Sequence, residues 1–332
     1  MRAPGFWWRP PGLLARLLSP FGKLYGAITL RRMQGLGSDV GIPVICVGNF
    51  IAGGAGKTPT AIALAGLLAQ RGETPFVLMR GYGGSLAGPV EVHASHHAAH
   101  AVGDEPLLMA RHARTVIARD RTAGAALARA LGASVIVMDD GLQNPALTKR
   151  LRLAVVDGAS GVGNGHCLPA GPLRAPLDGQ LAQTDAVLVI GAGEPGEAVA
   201  AKARQGGVAV LHARLEPAPA TVAKLQGQPV LAVSGIGRPE KFSATLLQAG
   251  AQIVAERAFG DHHAYTAGDV AGLVAEAKAR DCLIATTEKD LVKLEPLWPG
   301  GERHRLLPVP VSLVFAEPER IAAMLTGTLS TG

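Results

Sequence analysis

One contiguous stretch constrains this chain more than any other: Gly48-Asn49-Phe50-Ile51-Ala52-Gly53-Gly54-Ala55-Gly56-Lys57-Thr58. The apolar run 42–47 precedes it and reads as a buried strand. The run 59–69 follows, apolar at three- to four-residue spacing, and reads as a helix. Strand, glycine-rich turn, Lys-Thr and helix is the P-loop arrangement that cradles phosphates. The glycines let backbone N–H groups converge on phosphate oxygens, and the helix N-terminus adds partial positive charge. Ile51, Ala52, Gly53, Gly54, Ala55, Gly56, Lys57 and Thr58 are therefore the expected ATP-binding loop. Lys57 would reach the β- and γ-phosphates, and the Thr58 hydroxyl would bind Mg²⁺. Two details depart from the general pattern. Ile51 stands where G-x-x-x-x-G-K-[ST] has glycine, and Pro59 directly follows Thr58. Proline is tolerated in a first helical turn, whose N–H groups have no intrahelical partner. An ordinary glycine-rich turn is the bland alternative, and Gly-Lys-Thr in this context speaks against it.

A second signal is the run 134–141, a hydrophobic strand that ends in Asp139-Asp140-Gly141. A carboxylate in that position holds the nucleotide's magnesium, directly or through water. Thr58, Asp139, Asp140 and Glu105 are the candidate metal ligands. Glu105 belongs to Gly103-Asp104-Glu105-Pro106, which opens a helix at 107–113; by residue type alone these acids are helix caps. The strand 75–79 ends in Arg80-Gly81-Tyr82-Gly83-Gly84, a loop placed where α/β proteins bind ligands. Strands at 153–157 and 186–190 flank the loop 168–174, which offers Arg174 to an anion. His93, His96, His97 and His100 cluster in a loop-like region with no Cys or carboxylate among them, which argues against a metal site.

The length of 332 residues allows two domains. Glu216-Pro217-Ala218-Pro219-Ala220 is the best linker, and a fresh alternation of strands and helices follows it up to residue 286. The expected organisation is an N-terminal segment over 1–38, a P-loop domain with a mostly parallel sheet over 39–220, and a smaller α/β domain over 221–332. Cys46, Cys167 and Cys282 lie far apart without metal-type spacing, which suits a reducing compartment.

Charge has a location. Residues 1–38 carry Arg2, Arg9, Arg16, Lys23, Arg31 and Arg32 and no acid, while the remaining 26 basic and 26 acidic residues cancel. A basic terminus of this kind is no broad nucleic-acid surface. The same segment places Leu13, Leu17, Phe21, Leu24, Tyr25 and Ile28 on one helical stripe, preceded by Trp7 and Trp8. A basic amphipathic helix edged by tryptophan suits the interface of an anionic membrane. Charges and Pro20 interrupt it too often for a span, and it lacks the apolar core and cleavage site of a signal peptide. The alternative is a helix packed on the protein's own core.

Together these motifs make the chain resemble the lipid A 4′-kinases, the tetraacyldisaccharide 4′-kinases. The resemblance runs nearly end to end. It covers the basic Trp-containing terminus, the 48–58 loop, Arg80 to Gly84, Gly103 to Pro106, Asp139-Asp140-Gly141-Leu142-Gln143, and Leu168 to Arg174. It continues through Gly235-Ile236-Gly237 with Pro239 and Phe242, Asp261-His262-His263, and Thr287-Glu288-Lys289-Asp290. The family's P-loop lacks the first glycine, which accounts for Ile51. Leu142 and Asn144 depart from the family's usual Phe and His. The resemblance implies transfer of the ATP γ-phosphate, with Mg²⁺, to the 4′-hydroxyl of a tetra-acylated disaccharide 1-phosphate. The product is lipid IVA, made at the cytoplasmic face of the inner membrane, with the lipid substrate and the anionic membrane surface as partners. No obligate protein partner is evident. Asp104 matches the family's proposed base, His262 its partner, and Lys57 the catalytic cation; Arg80, Tyr82, Gln143 and Arg174 are candidates for contact with substrate. Two rival readings are a membrane-associated GTPase or ATPase switch and a non-catalytic scaffold. The first normally needs an Asn-Lys-x-Asp-like guanine motif, and in Thr287-Glu288-Lys289-Asp290 the Lys and Asp are adjacent. The second would have no use for Asp104 or His262.

Overall fold

The computed structural model describes residues 3–330; Arg2, one of the N-terminal basic residues, lies outside them. Eight strands precede residue 218: β1 (Val44–Asn49), β2 (Pro75–Met79), β3 (Val90–Val92), β4 (Arg114–Ile117), β5 (Val135–Asp139), β6 (Leu151–Asp157), β7 (Ala186–Ile190) and β8 (Ala209–Pro217). Five more follow: β9 (Pro229–Ser234), β10 (Gln252–Ala258), β11 (Leu283–Thr287), β12 (Leu306–Val309) and β13 (Val311–Phe315).

The large sheet has the order β13-β8-β7-β6-β1-β5-β2-β4-β3. It is parallel except at its two edges, where β13 runs against β8 and β3 against β4. Strands β1, β5 and β7 are buried along their whole length. Such unbroken apolar runs are stable only with helices on both faces, which is why they lie in the parallel interior. The helix Lys57–Ala69 covers one face and buries Leu64 and Leu68 completely. Each such burial contributes about 1.5–3 kcal/mol.

The second sheet, β10-β9-β11-β12, is parallel throughout. Its core packs Leu231, Val233 and Ile284 against Val270, Leu273 and Val274 of the helix Ala267–Ala279. The mostly parallel large sheet with a second, smaller α/β layer is the fold class read from the sequence.

The end of the chain does not stay with the second sheet. The chain leaves the large sheet after β8. It then returns: Leu313 of β13 lies opposite Leu215 of β8, and the helix Pro318–Ser330 sends Ile321 and Leu325 into the core beneath the large sheet. This pairing joins segments about a hundred residues apart, so no local pattern announces it.

The N-terminal helix Leu13–Met33 packs through small residues. A Cβ on Gly22 would stand 2.6 Å from the Cys167 carbonyl oxygen, and one on Gly26 would stand 2.7 Å from Cys167 Sγ. The large apolar residues point the other way. Leu13, Leu17, Phe21 and Leu24 are each more than 60% exposed, and Tyr25 and Ile28 are exposed beside them. No helix among the described residues is long and apolar enough to cross a membrane.

Candidate active site

Strands β1 and β5 are neighbours, and Val47 lies opposite Asp139 in their register. The phosphate loop therefore leaves one strand end beside the acid that closes the next. The loop's shape has local causes. Buried Asn49 donates from Nδ2 to the Gly53 carbonyl at 2.8 Å. Gly56 has φ +93°, and a Cβ there would stand 2.6 Å from Ile190 Cδ1, so only glycine fits. Ile51 is buried with Phe50 and Leu173, and the next residue, Ala52, donates its N–H to the Pro172 carbonyl. An isoleucine in place of glycine thus anchors the start of the loop in the core. Lys57 Nζ lies 3.4 Å from the Gly53 carbonyl and 3.7 Å from Asp140 Oδ1. Thr58 follows it, half-buried, at the start of the helix.

Asp139 is 3% exposed, and its Oδ1 has no hydrogen-bond partner. Burial pushes its carboxyl up to about 7 against the pull of Lys57, with the negative charges of Glu105 and Asp140 adding to the rise. An orphaned buried carboxylate oxygen beside other acids is what a divalent cation satisfies. No three His, Cys, Asp or Glu side chains among the described residues are grouped to hold a metal unaided. Magnesium at phosphates takes only one or two carboxylates and completes its shell with phosphate and water. Asp139, with the Thr58 hydroxyl, fits that requirement.

Asp140 has φ 52° and is gripped by Arg174 at 3.0 and 3.2 Å. Arg174 also donates from Nε to the Ile51 carbonyl and from Nη1 to Gln143 Oε1. Gln143 donates to the Asn49 carbonyl and to Gln180 Oε1, both at 2.8 Å. Arg174 and Gln143, expected toward the substrate, here hold the backbone of the phosphate loop at Ile51 and Asn49. Asn144 closes a turn on the Ala146 N–H, and Leu142 is buried against Gly48.

The facing group comes from both sheets. Asp104 begins the helix Asp104–Met109 in the large unit and is only 6% exposed. His262 lies in the loop after β10, with φ 59°, a backbone strain of the kind that gathers at functional positions. His262 Nδ1 stands 3.0 Å from both carboxylate oxygens of Asp104. Burial opposes the Asp104 charge, but the His262 hydrogen bond, with Lys289 and Lys293, outweighs it and brings the carboxyl down to about 2. The same hydrogen bond raises His262 above its ordinary value.

Lys289 completes the cluster at 3.2 Å from Glu105, 3.1 Å from Asp261 and 3.5 Å from His262 Nε2. Glu105 is thus paired with the small unit while its charge also raises Asp139. Tyr82 is exposed, with its ring 5.7 Å from that of His262. Arg80 is exposed just after β2; burial lowers the pKa of Arg121, and the Arg80 charge adds to that lowering. The four clustered histidines stay apart from this site: His93 and His97 stack on each other, and His97 Nδ1 accepts the His93 N–H.

Lys293 joins the site from outside the motifs read in the sequence, whereas Asp261 and Lys289 stand in two of those motifs without an assigned role. The signal was available: Lys289 and Lys293 are four apart on the helix Glu288–Leu294 and therefore share a face.

The family model described as tetraacyldisaccharide-1-P 4′-kinase matches residues 14–330. A tetraacyldisaccharide 4′-kinase of Methylobacterium nodulans is 55% identical over 99% of this chain and 96% of its own. One from Rhodopseudomonas palustris is 52% identical over 99% of this chain and 97% of its own. The crystal structure of LpxK from Aquifex aeolicus, determined in complex with ATP, has the same fold, with a TM-score of 0.73. It is 24% identical and the match covers 96% of this chain and all of that one. An end-to-end family match, at more than half identity to curated relatives, places this chain in the tetraacyldisaccharide-1-P 4′-kinase family.

Proposed function

We propose that this protein transfers the γ-phosphate of ATP to the 4′-hydroxyl of tetraacyldisaccharide 1-phosphate, forming lipid IVA. The observation that carries the reading is the Asp104–His262 pair, 3.0 Å apart and formed across the two sheets, opposite the Lys57 loop and buried Asp139. The 51–58 loop cradles the phosphates, and Lys57 neutralises charge on the γ-phosphoryl group. Asp139 and Thr58 would hold Mg²⁺, with Glu105 and Asp140 nearby; the ion would supply neutralisation of the phosphate charge. Asp104 orients the sugar hydroxyl and takes its proton as the oxygen bonds to phosphorus and ADP departs. A carboxylate with its pKa near 2 is a weak base. That suffices in a loose transition state, where the hydroxyl keeps its proton until late and orientation matters more than basicity. His262 holds the carboxylate in place. The guanine-switch alternative finds no support in Asp290, which is buried and spends one carboxylate oxygen on the Gly235 N–H and the Thr287 hydroxyl.

The exposed stripe of the N-terminal helix supports a place on an anionic membrane, at the inner membrane's cytoplasmic face. Each large side chain moved from water into the acyl boundary contributes about 1.5–3 kcal/mol. Arg16, Lys23, Arg31 and Arg32 supply the attraction to acidic headgroups. We divide the chain into the N-terminal segment, a large unit that includes residues 311–330, and a small unit of about residues 218–310 that brings His262 to the site.

The test is a purified-enzyme assay with ATP, Mg²⁺ and tetra-acyl disaccharide 1-phosphate on acidic vesicles, with phosphate counted at the 4′ position. No 4′-phosphorylated product would end the functional reading. Flotation of the same vesicles tests the location: L17S/F21S/L24S should stay at the bottom of the gradient. If it floats as well as the wild type, the stripe is not a membrane surface.

A further inference from the structure

Lys293 is a buried lysine, with a side chain only 9% exposed. Its ammonium lies 3.2 Å from Asp290 Oδ1 and 3.6 Å from Asp104 Oδ2, with the Tyr265 ring 5.3 Å below. Lys293 Nζ, Asp290 Oδ1 and the Tyr265 hydroxyl are all buried without a well-formed hydrogen bond, and they converge on one spot beside Gly235. Burying an ion pair is costly, and replacing both partners by hydrophobic residues of similar volume is often as stable or more so. Folding alone therefore gives little reason for a lysine here.

The geometry supplies another reason. Asp290 is fixed, because its Oδ2 accepts the Gly235 N–H at 2.8 Å and the Thr287 hydroxyl at 2.8 Å. Its helix is held against the end of the Asp104 helix by Arg111–Glu295 at 2.8 Å and His112–Glu288 at 3.4 Å. Lys293 thus projects from a rigid platform in the small unit toward a carboxylate in the large one. The two oxygens of Asp104 are served unequally. Oδ1 accepts the Glu105 N–H at 2.9 Å as well as facing His262, whereas Oδ2 has only His262 and Lys293.

We propose that Lys293 is a positioning residue for Asp104: it fixes the Oδ2 side of the carboxylate, so that His262 and Lys293 together set the angle at which the base meets the acceptor hydroxyl. This rests on the reading of Asp104 as the base. Misplacing a reacting group by about 1 Å costs on the order of a hundredfold in rate. Removing the ammonium should therefore lower kcat and leave substrate affinity in place.

The experiment compares K293M and K293R in the full-length wild-type and D104N backgrounds. In the wild-type background K293M should lower kcat by about ten- to a hundredfold with KM for both substrates changed less than about twofold, and K293R should lose only a few-fold. In the D104N background neither substitution should reduce the residual rate further. An equal loss in both backgrounds, or a loss confined to KM, overturns the proposal. If K293M does not fold, K293R in the two backgrounds carries the same comparison. A second readout needs no substrate. With ¹⁵N-labelled histidine, K293M should shift the imidazole nitrogens of His262, because the partner carboxylate moves; unchanged nitrogens overturn the positioning role. Absence of 4′-kinase activity in the wild type would instead overturn the functional reading, and the two failures are told apart by the nitrogen spectrum.

Discussion

The two walls of the candidate site are built by opposite means. The phosphate wall is local: Asn49 holds Gly53 four residues on, and Lys57 reaches the same carbonyl. Its distant requirements are that β5 lie beside β1 and that Pro172, Arg174 and Gln143 hold the backbone of the loop. The facing wall is entirely non-local. Asp104 and His262 are 158 residues apart, and Glu105 and Lys289 are 184 apart. The first wall exists as soon as the parallel sheet forms, whereas the second exists only while the small unit is docked. The walls also differ in charge management. Asp139 is buried with an unmet oxygen and is pushed toward neutrality. Asp104, nearly as buried, is held ionised by a histidine and two lysines. One acid is left wanting a cation, and the other is already given three.

This contrast can be broken at three points, taken from the largest effect to the smallest. Lys57→Ala removes the one side-chain cation of the 48–58 loop itself. We expect kcat to fall roughly 10²–10³-fold, as when a single transition-state contact is lost, with an unchanged circular-dichroism spectrum. A variant that keeps more than about a tenth of the wild-type rate would remove Lys57 from the mechanism.

The facing wall should behave as one unit although its parts are far apart in sequence. D104A/H262A should be scarcely slower than the worse of the two single variants, because the histidine acts through the carboxylate. If the single penalties multiply in steady-state kcat, the two residues work independently and the contrast between the walls loses its basis.

The smallest effect concerns stability. The Asp104 carboxyl is lowered from 3.8 to about 2, so its contribution is present above pH 3.8 and is lost as pH falls through about 2. His262 is raised above 6.5, so its contribution is complete below 6.5 and is lost as pH rises through its higher folded value. The pair therefore stabilises most between pH 3.8 and 6.5. The melting temperature of H262Q should fall short of wild type by about 1–3 °C at about pH 6, since the His262 side chain is 34% exposed and solvent screening limits its bond to buried Asp104 to about 1 kcal/mol. The gap should close toward about pH 9. Melting curves that keep a constant gap across that range would mean that His262 supports the fold by packing rather than by its bond to Asp104.

The N-terminal helix shows a similar limit to what residue patterns reveal. The stripe from Leu13 to Ile28 is plain in the sequence, but a stripe of that period fits a core as well as a bilayer. The glycines at 22 and 26 turn the stripe away from the core, because they let the helix lie on Cys167 through its narrow side and leave the leucines exposed.

The sequence by itself determined the phosphate wall. Gly56, Lys57 and Thr58 between an apolar strand and a helix have one sterically natural outcome, and a hydrophobic strand ending in Asp139 has one natural neighbour. It also determined that a second α/β layer follows residue 220, since strand and helix periodicities are short-range properties. Tertiary structure decided the rest. It turned Arg174 and Gln143 from free polar groups into braces, because their partners Asp140, Ile51 and Asn49 lie at least 30 residues away. It carried residues 311–330 back to the first sheet, and it brought His262, Lys289 and Lys293 around Asp104. Those contacts depend on how two separately packed layers meet, and the packing of one layer against another is encoded in surface shape and charge across the whole interface rather than in any run of neighbouring residues.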